Sequence, residues 1–320
     1  MKNIIVPVCV ASCLWAAAET SATGKQPQTK NRIDLVFNAR TVSAPPDIEK
    51  LPKTVSVSAF GAKGDGAQDD ADAIQAALDS DAATVTIPPG TYRIDRTLRM
   101  GSGTLLRAAP QAVIRLADGA GASVDTFLIT NRNHGRGDSD ITVEGGIWDG
   151  NNEHNARGSV KPCYTGVAIN FVNVRRLALR NLTVRNPDSF AIRACRLTGF
   201  TMENIGFDFS VLRPNQDGVH LNGECRQGVI RNLYAISPYA TNDDMVALNA
   251  DDGMDHVLCQ GMVAGAIEDV TVEKIRAESA YTFVRLLCVK ERIRNVVVSD
   301  VQGGCRTHAI NLDRWRFSAG

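Results

Sequence analysis

LALRNLTV (177–184), FTMENIGF (200–207), GVIRNLYA (228–235), VTVEKIRA (270–277) and VVVSDVQG (296–303) share one form: alternating apolar residues, a polar or charged pair, then another apolar residue. Their starts lie roughly 23 to 42 residues apart, which suits one solenoid turn plus a variable loop. ITVEGGIWDG (141–150) is an earlier member, and SFAIRA, DGVHLN, DMVALN, FVRLLC and HAINLD form a companion series. Alternation with period two means strands. Its recurrence at coil length points to an all-β fold, a single-stranded right-handed parallel β-helix with coils stacked about 4.8 Å apart. Alternate side chains then enter one apolar core, and the others stand outward in columns. An antiparallel sandwich is the rival, but tight Asn-Gly or Asp-Gly turns are rare between these strands. Asn181, Asn204, Asn232 and Asn295 are expected at one repeat position, in a turn whose backbone angles Asn tolerates.

Upstream, residues 55–94 read strand, glycine loop, short helix, strand. Asp69 or Asp70 can cap the helix, and Ile74, Ala77 and Leu78 follow helical spacing. This helix would cap the N-terminal end of the solenoid. No GxxxxGK[ST] is present, and the helix starts too late for a dinucleotide fingerprint, so the glycines read as a structural turn. Residues 1–22 have a basic start, an apolar run and small residues before a polar stretch, the form of a signal peptide cleaved after Ala18 or Ala22. A secreted or periplasmic protein is expected. A lipoprotein box at residues 10–13, with Cys13 as the anchor, is the alternative. Residues 23–52 read as a polar arm and 53–320 as the β-helix domain.

Lys+Arg and Asp+Glu balance at 35 each, which argues against a nucleic-acid or membrane-surface partner. No later segment has the roughly 18 apolar residues of a membrane span, and a monomer is expected. Cys163, Cys195, Cys225, Cys259, Cys288 and Cys305 are widely spaced, with no CxxC pair, so one or two disulfides fit better than zinc.

Aligning the companion strands on their apolar pairs sets His220, Ala247, Arg285 and Asn311 in one outward column. A second column, two residues earlier, reads Asp188, Asp217, Asp244, Thr282, His308, with Asp243 beside it. NQDGVHL (215–221) and NDDMVAL (242–248) therefore bring three carboxylates into one patch. Ionised carboxylates about 5 Å apart repel, so at least one should hold its proton. An acid beside ionised bases is what glycoside hydrolysis needs. A calcium site or a solvated turn would use the same residues.

These motifs carry a resemblance. AFGAKGDGAQDDADAIQAAL, VTIPPGTYRI, ITVEGGIWDGN, NPDSFAI, NQDGVHL and NDDMVAL resemble the pectin-lyase-like β-helix superfamily and, within it, family-28 glycoside hydrolases (polygalacturonases and relatives), over roughly residues 54–315. The resemblance implies Asp243 as general acid, Asp217 and Asp244 activating water, and inversion of configuration, which fits carboxylates spaced to leave room for water. Arg285 falls on the Arg of the family's Arg-Ile-Lys motif, and a guanidinium suits a sugar carboxylate. The family's Gly-His-Gly is replaced by Val-Ala-Gly-Ala at 263–266, its Lys by Leu287, and the Gly before its paired aspartates by Asn242. His220, Asn215 and His256 are the further candidates for substrate contact, whereas His308 reads as solvated or packed.

The expected function is cleavage of a pectin-like or other acidic polysaccharide by a secreted glycoside hydrolase without a cofactor. A lyase of the same fold, with calcium and a basic residue, is the second reading. A non-catalytic carbohydrate-binding β-helix is the third, with Trp148, Tyr164, Tyr239 and Trp315 as candidate stacking platforms.

Overall fold

In the computed structural model the described residues are 8–10, 53–155, 159–160, 163–251, 259 and 261–313. His256, Cys13 and Trp315 lie outside them. The repeated segments pair in parallel, each on the next: Leu177 opposite Phe200, Phe200 opposite Gly228, Gly228 opposite Val270, Val270 opposite Val296. One inward column runs Val55, Val85, Leu106, Val143, Leu179, Met202, Ile230, Val272, Val298, coil after coil. All but Val55 are buried. Each such side chain contributes about 1.5–3 kcal/mol by leaving water, as an upper bound. Successive parallel pairing is what stacked coils require, and it excludes the sandwich. Only two pairings among the described strands are antiparallel: Ser159–Val160 with Cys163–Tyr164, and Val8–Val10 with Val296–Val298 of the last coil. Val8–Val10 is the described part of the segment read as a signal peptide.

The coil bends where single residues take left-handed backbone angles. Each repeated segment has two such corners, one just before it and one at its fifth residue: Arg176 and Asn181, Gly199 and Asn204, Gln227 and Asn232, Asp269 and Lys274, Asn295 and Asp300. Asn181, Asn204 and Asn232 stack as expected: the Nδ2 of Asn204 and of Asn232 each donates to the Oδ1 of the Asn one coil before it, at 2.9 and 2.7 Å. Asn295 departs from the reading. It occupies the other corner, opposite Asp269, to which its amide donates at 3.0 Å. The Asn181 position in that coil belongs to Asp300. Both corners favour the same residue types, so composition cannot tell them apart.

The helix Ala71–Leu78 covers the first coils with Ala71, Ile74, Ala77 and Leu78, all buried. Asp70 stands at its N-cap without capping it. Its carboxylate instead accepts from the Lys63 and Gly64 amides, at 2.7 and 3.0 Å, and so closes the glycine loop. Asp69 takes the Ala71 amide at 2.9 Å. Gly64, at φ +64°, leaves room for Tyr92, whose ring carbon would lie 2.8 Å from any added Cβ. Trp148 points into the core, fully buried, with its Nε1 donating to the Gly145 carbonyl, and is no stacking platform. Cys163 and Cys259, 96 residues apart, form a disulfide, while Cys195 and Cys225 are free and buried.

Candidate active site

The companion strands Val219–Leu221 and Asp244–Asp251, together with the C-terminal part of Ile267–Cys288, lie side by side in parallel. Alternation in each strand sends its Val and Leu inward and the residue between them outward. The register sets His220 opposite Ala247, Ala247 opposite Arg285 and Arg285 opposite Asn311, the column expected from the repeats. Asp244 lies opposite Thr282, and Thr282 opposite His308. At the head of this second column the reading is corrected. Ile192 pairs with Val219, so Phe190, not Asp188, stands beside Asp217. Asp188 is buried elsewhere, 3.4 Å from Arg213 Nε. The strand before it starts late, and an alignment of motifs cannot register that shift.

Asp217, Asp243 and Asp244 each present a carboxylate oxygen within 4.8 Å of the others. Asp217 and Asp244 are buried, and Asp243 is half-buried. Burial pushes the Asp244 carboxyl well above the usual carboxylate range, and the charges of Asp217 and Asp243 push it further; Arg285 and a hydrogen bond from Thr282 oppose them. Arg285 Nη1 lies 3.8 Å from Asp244 Oδ2. His220 Nδ1 is 2.5 Å from Asp217 Oδ2, and its Nε2 is 3.5 Å from Asn249 Nδ2. The neutral tautomer with the proton on Nδ1 serves both contacts, donating to the carboxylate and accepting from the amide. His220 therefore orients Asp217, with its ring against Phe190 at 4.3 Å between centroids.

Asn215 is half-buried in the turn before Asp217, at φ +59°. His308 is exposed in the last coil. Tyr239 and Tyr281 are exposed on either side of Arg306, whose guanidinium carbon lies 5.7 and 5.5 Å from their ring centroids. Arg306 donates to Asn242 Oδ1 and to the Tyr239 and Thr241 carbonyls at 3.0, 3.2 and 3.0 Å. The Asn242 amide in turn donates to the Arg213 carbonyl. The residue that replaces the family's Gly thus ties together the turns ahead of both aspartate motifs. Sequence reading missed Arg306, which lies outside the aligned columns. It also missed Arg193, which the repeats could have shown, since it holds the His220 position one coil earlier.

A divalent cation could also be held by three such carboxylates. Here one oxygen of Asp217 is engaged by His220, and Arg285 already brings positive charge to Asp244. That donor set fits a proton-transfer site better than a calcium cage.

Parallel coils with carboxylates on an outward column define a solenoid of the pectin-lyase-like class. Residues 54–306 match the family described as Rhamnogalacturonase A/epimerase, pectate lyase-like, and the chain belongs to that family. It is 36% identical over 128 residues to Alginate lyase 7 of Azotobacter vinelandii, a match covering 35% of this chain and 14% of that protein. It is 23% identical over 277 residues to a polygalacturonase of Prunus persica, covering 80% of this chain and 64% of the relative. The chain thus spans less than two thirds of either relative. A solved exopolygalacturonase of Thermotoga maritima superposes over 80% of this chain and 69% of its own, with TM-score 0.58; at 13% identity this likeness shows the fold alone. Relatives of this fold include hydrolases, lyases and epimerases.

Proposed function

We propose that this protein is a carbohydrate-active enzyme, a right-handed β-helix that hydrolyses glycosidic bonds in an acidic polysaccharide outside the cytoplasm. The observation that carries the reading is the cluster of Asp217, Asp243 and Asp244, in which burial and the neighbouring carboxylates favour the protonated form of Asp244 beside the Arg285 guanidinium. Groups this close titrate together, so the proton belongs to the cluster rather than to one residue. In this reading Asp243, the most exposed of the three, protonates the leaving oxygen. Asp217, oriented by His220, and Asp244 activate the water. Arg285 receives a sugar carboxylate.

The expectation of inversion draws no support from the spacing. Oxygens within 4.8 Å are closer than the roughly 6.5–9.5 Å typical of inverting carboxyl pairs. The anomer first released, read by NMR, assigns the stereochemistry.

A lyase is the second reading, favoured by the identity to the alginate lyase. One experiment separates the two. The protein and its Asp243→Asn variant are incubated with polygalacturonate and alginate, with and without chelator, and new reducing ends and ultraviolet absorbance are followed together. Hydrolysis predicts reducing ends without absorbance, indifferent to chelator and about 10²–10⁴-fold slower in the variant. Absorbance in step with cleavage moves the protein to the lyases.

A further inference from the structure

Resting on the proposed carbohydrate cleavage, we infer that the groove is blind on its N-terminal side, so that the site acts on the end of a polysaccharide chain and not within it. The outward column that carries His220 and Arg285 continues through earlier coils as Arg193, Asn170, Thr130 and Arg99, each opposite the next. In an open cleft these side chains would line a continuous floor for the polymer. They do not: Thr130, Asn170 and Arg193 are 0% exposed, an unusual state for an arginine.

The cover is visible on both sides. Phe127, Val167 and Phe190 pack into an apolar cluster with Tyr164, and the Arg193 guanidinium lies 5.8 Å from the Phe190 ring. Across the column, Met262 and Val263 pack on Val172 and Cys195, and the Val263 amide donates to Cys195 Sγ at 3.3 Å. The Cys163–Cys259 disulfide ties the segment next to Tyr164 to the segment leading to Met262. The wall stands one coil from His220, which leaves no passage for sugar units beyond it.

Towards the C-terminal coils the same column stays buried through His220 and Ala247 and opens at Arg285. The Arg285 side chain is 21% exposed; Tyr281 on the same strand, Tyr239 across Arg306 from it, and His308 in the last coil are exposed as well. A chain entering from that side meets Asp243 and Arg285 and then stops against Phe190 and the covered Arg193. Recognition of a chain end follows from this one-sided access.

The test uses the full chain with polygalacturonate and alginate, each in a long preparation and in one hydrolysed about tenfold shorter. Viscosity is followed against new reducing ends, and early products are sized. Chain-end action predicts that only the smallest saccharides appear early, while viscosity is retained. A ladder of long oligosaccharides with rapid viscosity loss overturns the inference and leaves the proposed hydrolysis standing. A second measurement does not depend on turnover. Binding to the Asp243→Asn variant should half-saturate at about tenfold lower mass concentration for the shorter chains, because ends are being counted. Equal half-saturation by mass overturns the blind groove. Binding of neither polymer, together with no cleavage, overturns both the groove and the function on which it rests.

Discussion

A carboxyl group buried beside two others lowers its energy by keeping a proton or by finding a cation, and Asp244 does some of each. Its folded-state pKa lies above the unfolded value. The folded protein therefore binds more protons than the unfolded chain between the two values, and stability falls as pH rises through that window. Above it the penalty is complete. Asp244→Asn should accordingly melt higher than the parent at neutral pH, by about 2–4 °C for each kcal/mol relieved. The gap should close as pH falls to the usual carboxylate range, and thermal melts at both pH values check this. Activity should be lost in the same variant. Arg306 acts one step away, through the turn that carries Asn242. Arg306→Ala should lower kcat about 10- to 100-fold with little change in KM, since misplacing a reacting group acts on the chemical step. Lys at 306 should recover little, because it lacks the planar fork that reaches three acceptors. Steady-state kinetics of the two variants separate this from a general loss of folding, which would lower active concentration in both alike.

At the scale of the coil, the corners set the local rules. Asn204 combines φ +56° with an amide ladder to its neighbours. A β-branched residue there meets the left-handed penalty and breaks the ladder, so Asn204→Val should cost about 1–3 kcal/mol. Asn204→Gly keeps the backbone unstrained and should cost less. Urea denaturation of the two variants gives the order. The alternating pattern of each repeat was readable from the sequence, and so, on closer alignment, was the corner: Asn181, Asn204 and Asn232 are fifth in their segments, where VVVSDVQG has Asp300 and Asn295 falls before the segment. Asn181 and Asn295 both follow an arginine and precede an apolar residue, which hides the difference until the coils are set in register.

Across the whole molecule, neighbouring coils fit by complementing large residues with small ones. Gly228 lies opposite Phe200, and a Cβ at 228 would come within 2.0 Å of that ring. Gly228→Ala should therefore destabilise the protein by about 1–3 kcal/mol through overpacking, a change that calorimetry would register as a lower Tm. The stack of columns was legible beforehand, because equal repeat positions in parallel coils must fall in line. For that reason Asp217, Asp244, His220 and Arg285 could be brought together from sequence alone.

What the sequence by itself determined is therefore the solenoid and its carboxylate cluster, since both follow from short-range alternation repeated at coil length. Tertiary structure alone decided that Phe190 replaces Asp188 beside the site, that Cys163 pairs with Cys259, that Trp148 turns inward and that Arg193 lies covered. Each of these depends on the lengths and paths of the loops between repeats, and packing across those loops leaves no periodic trace in the chain.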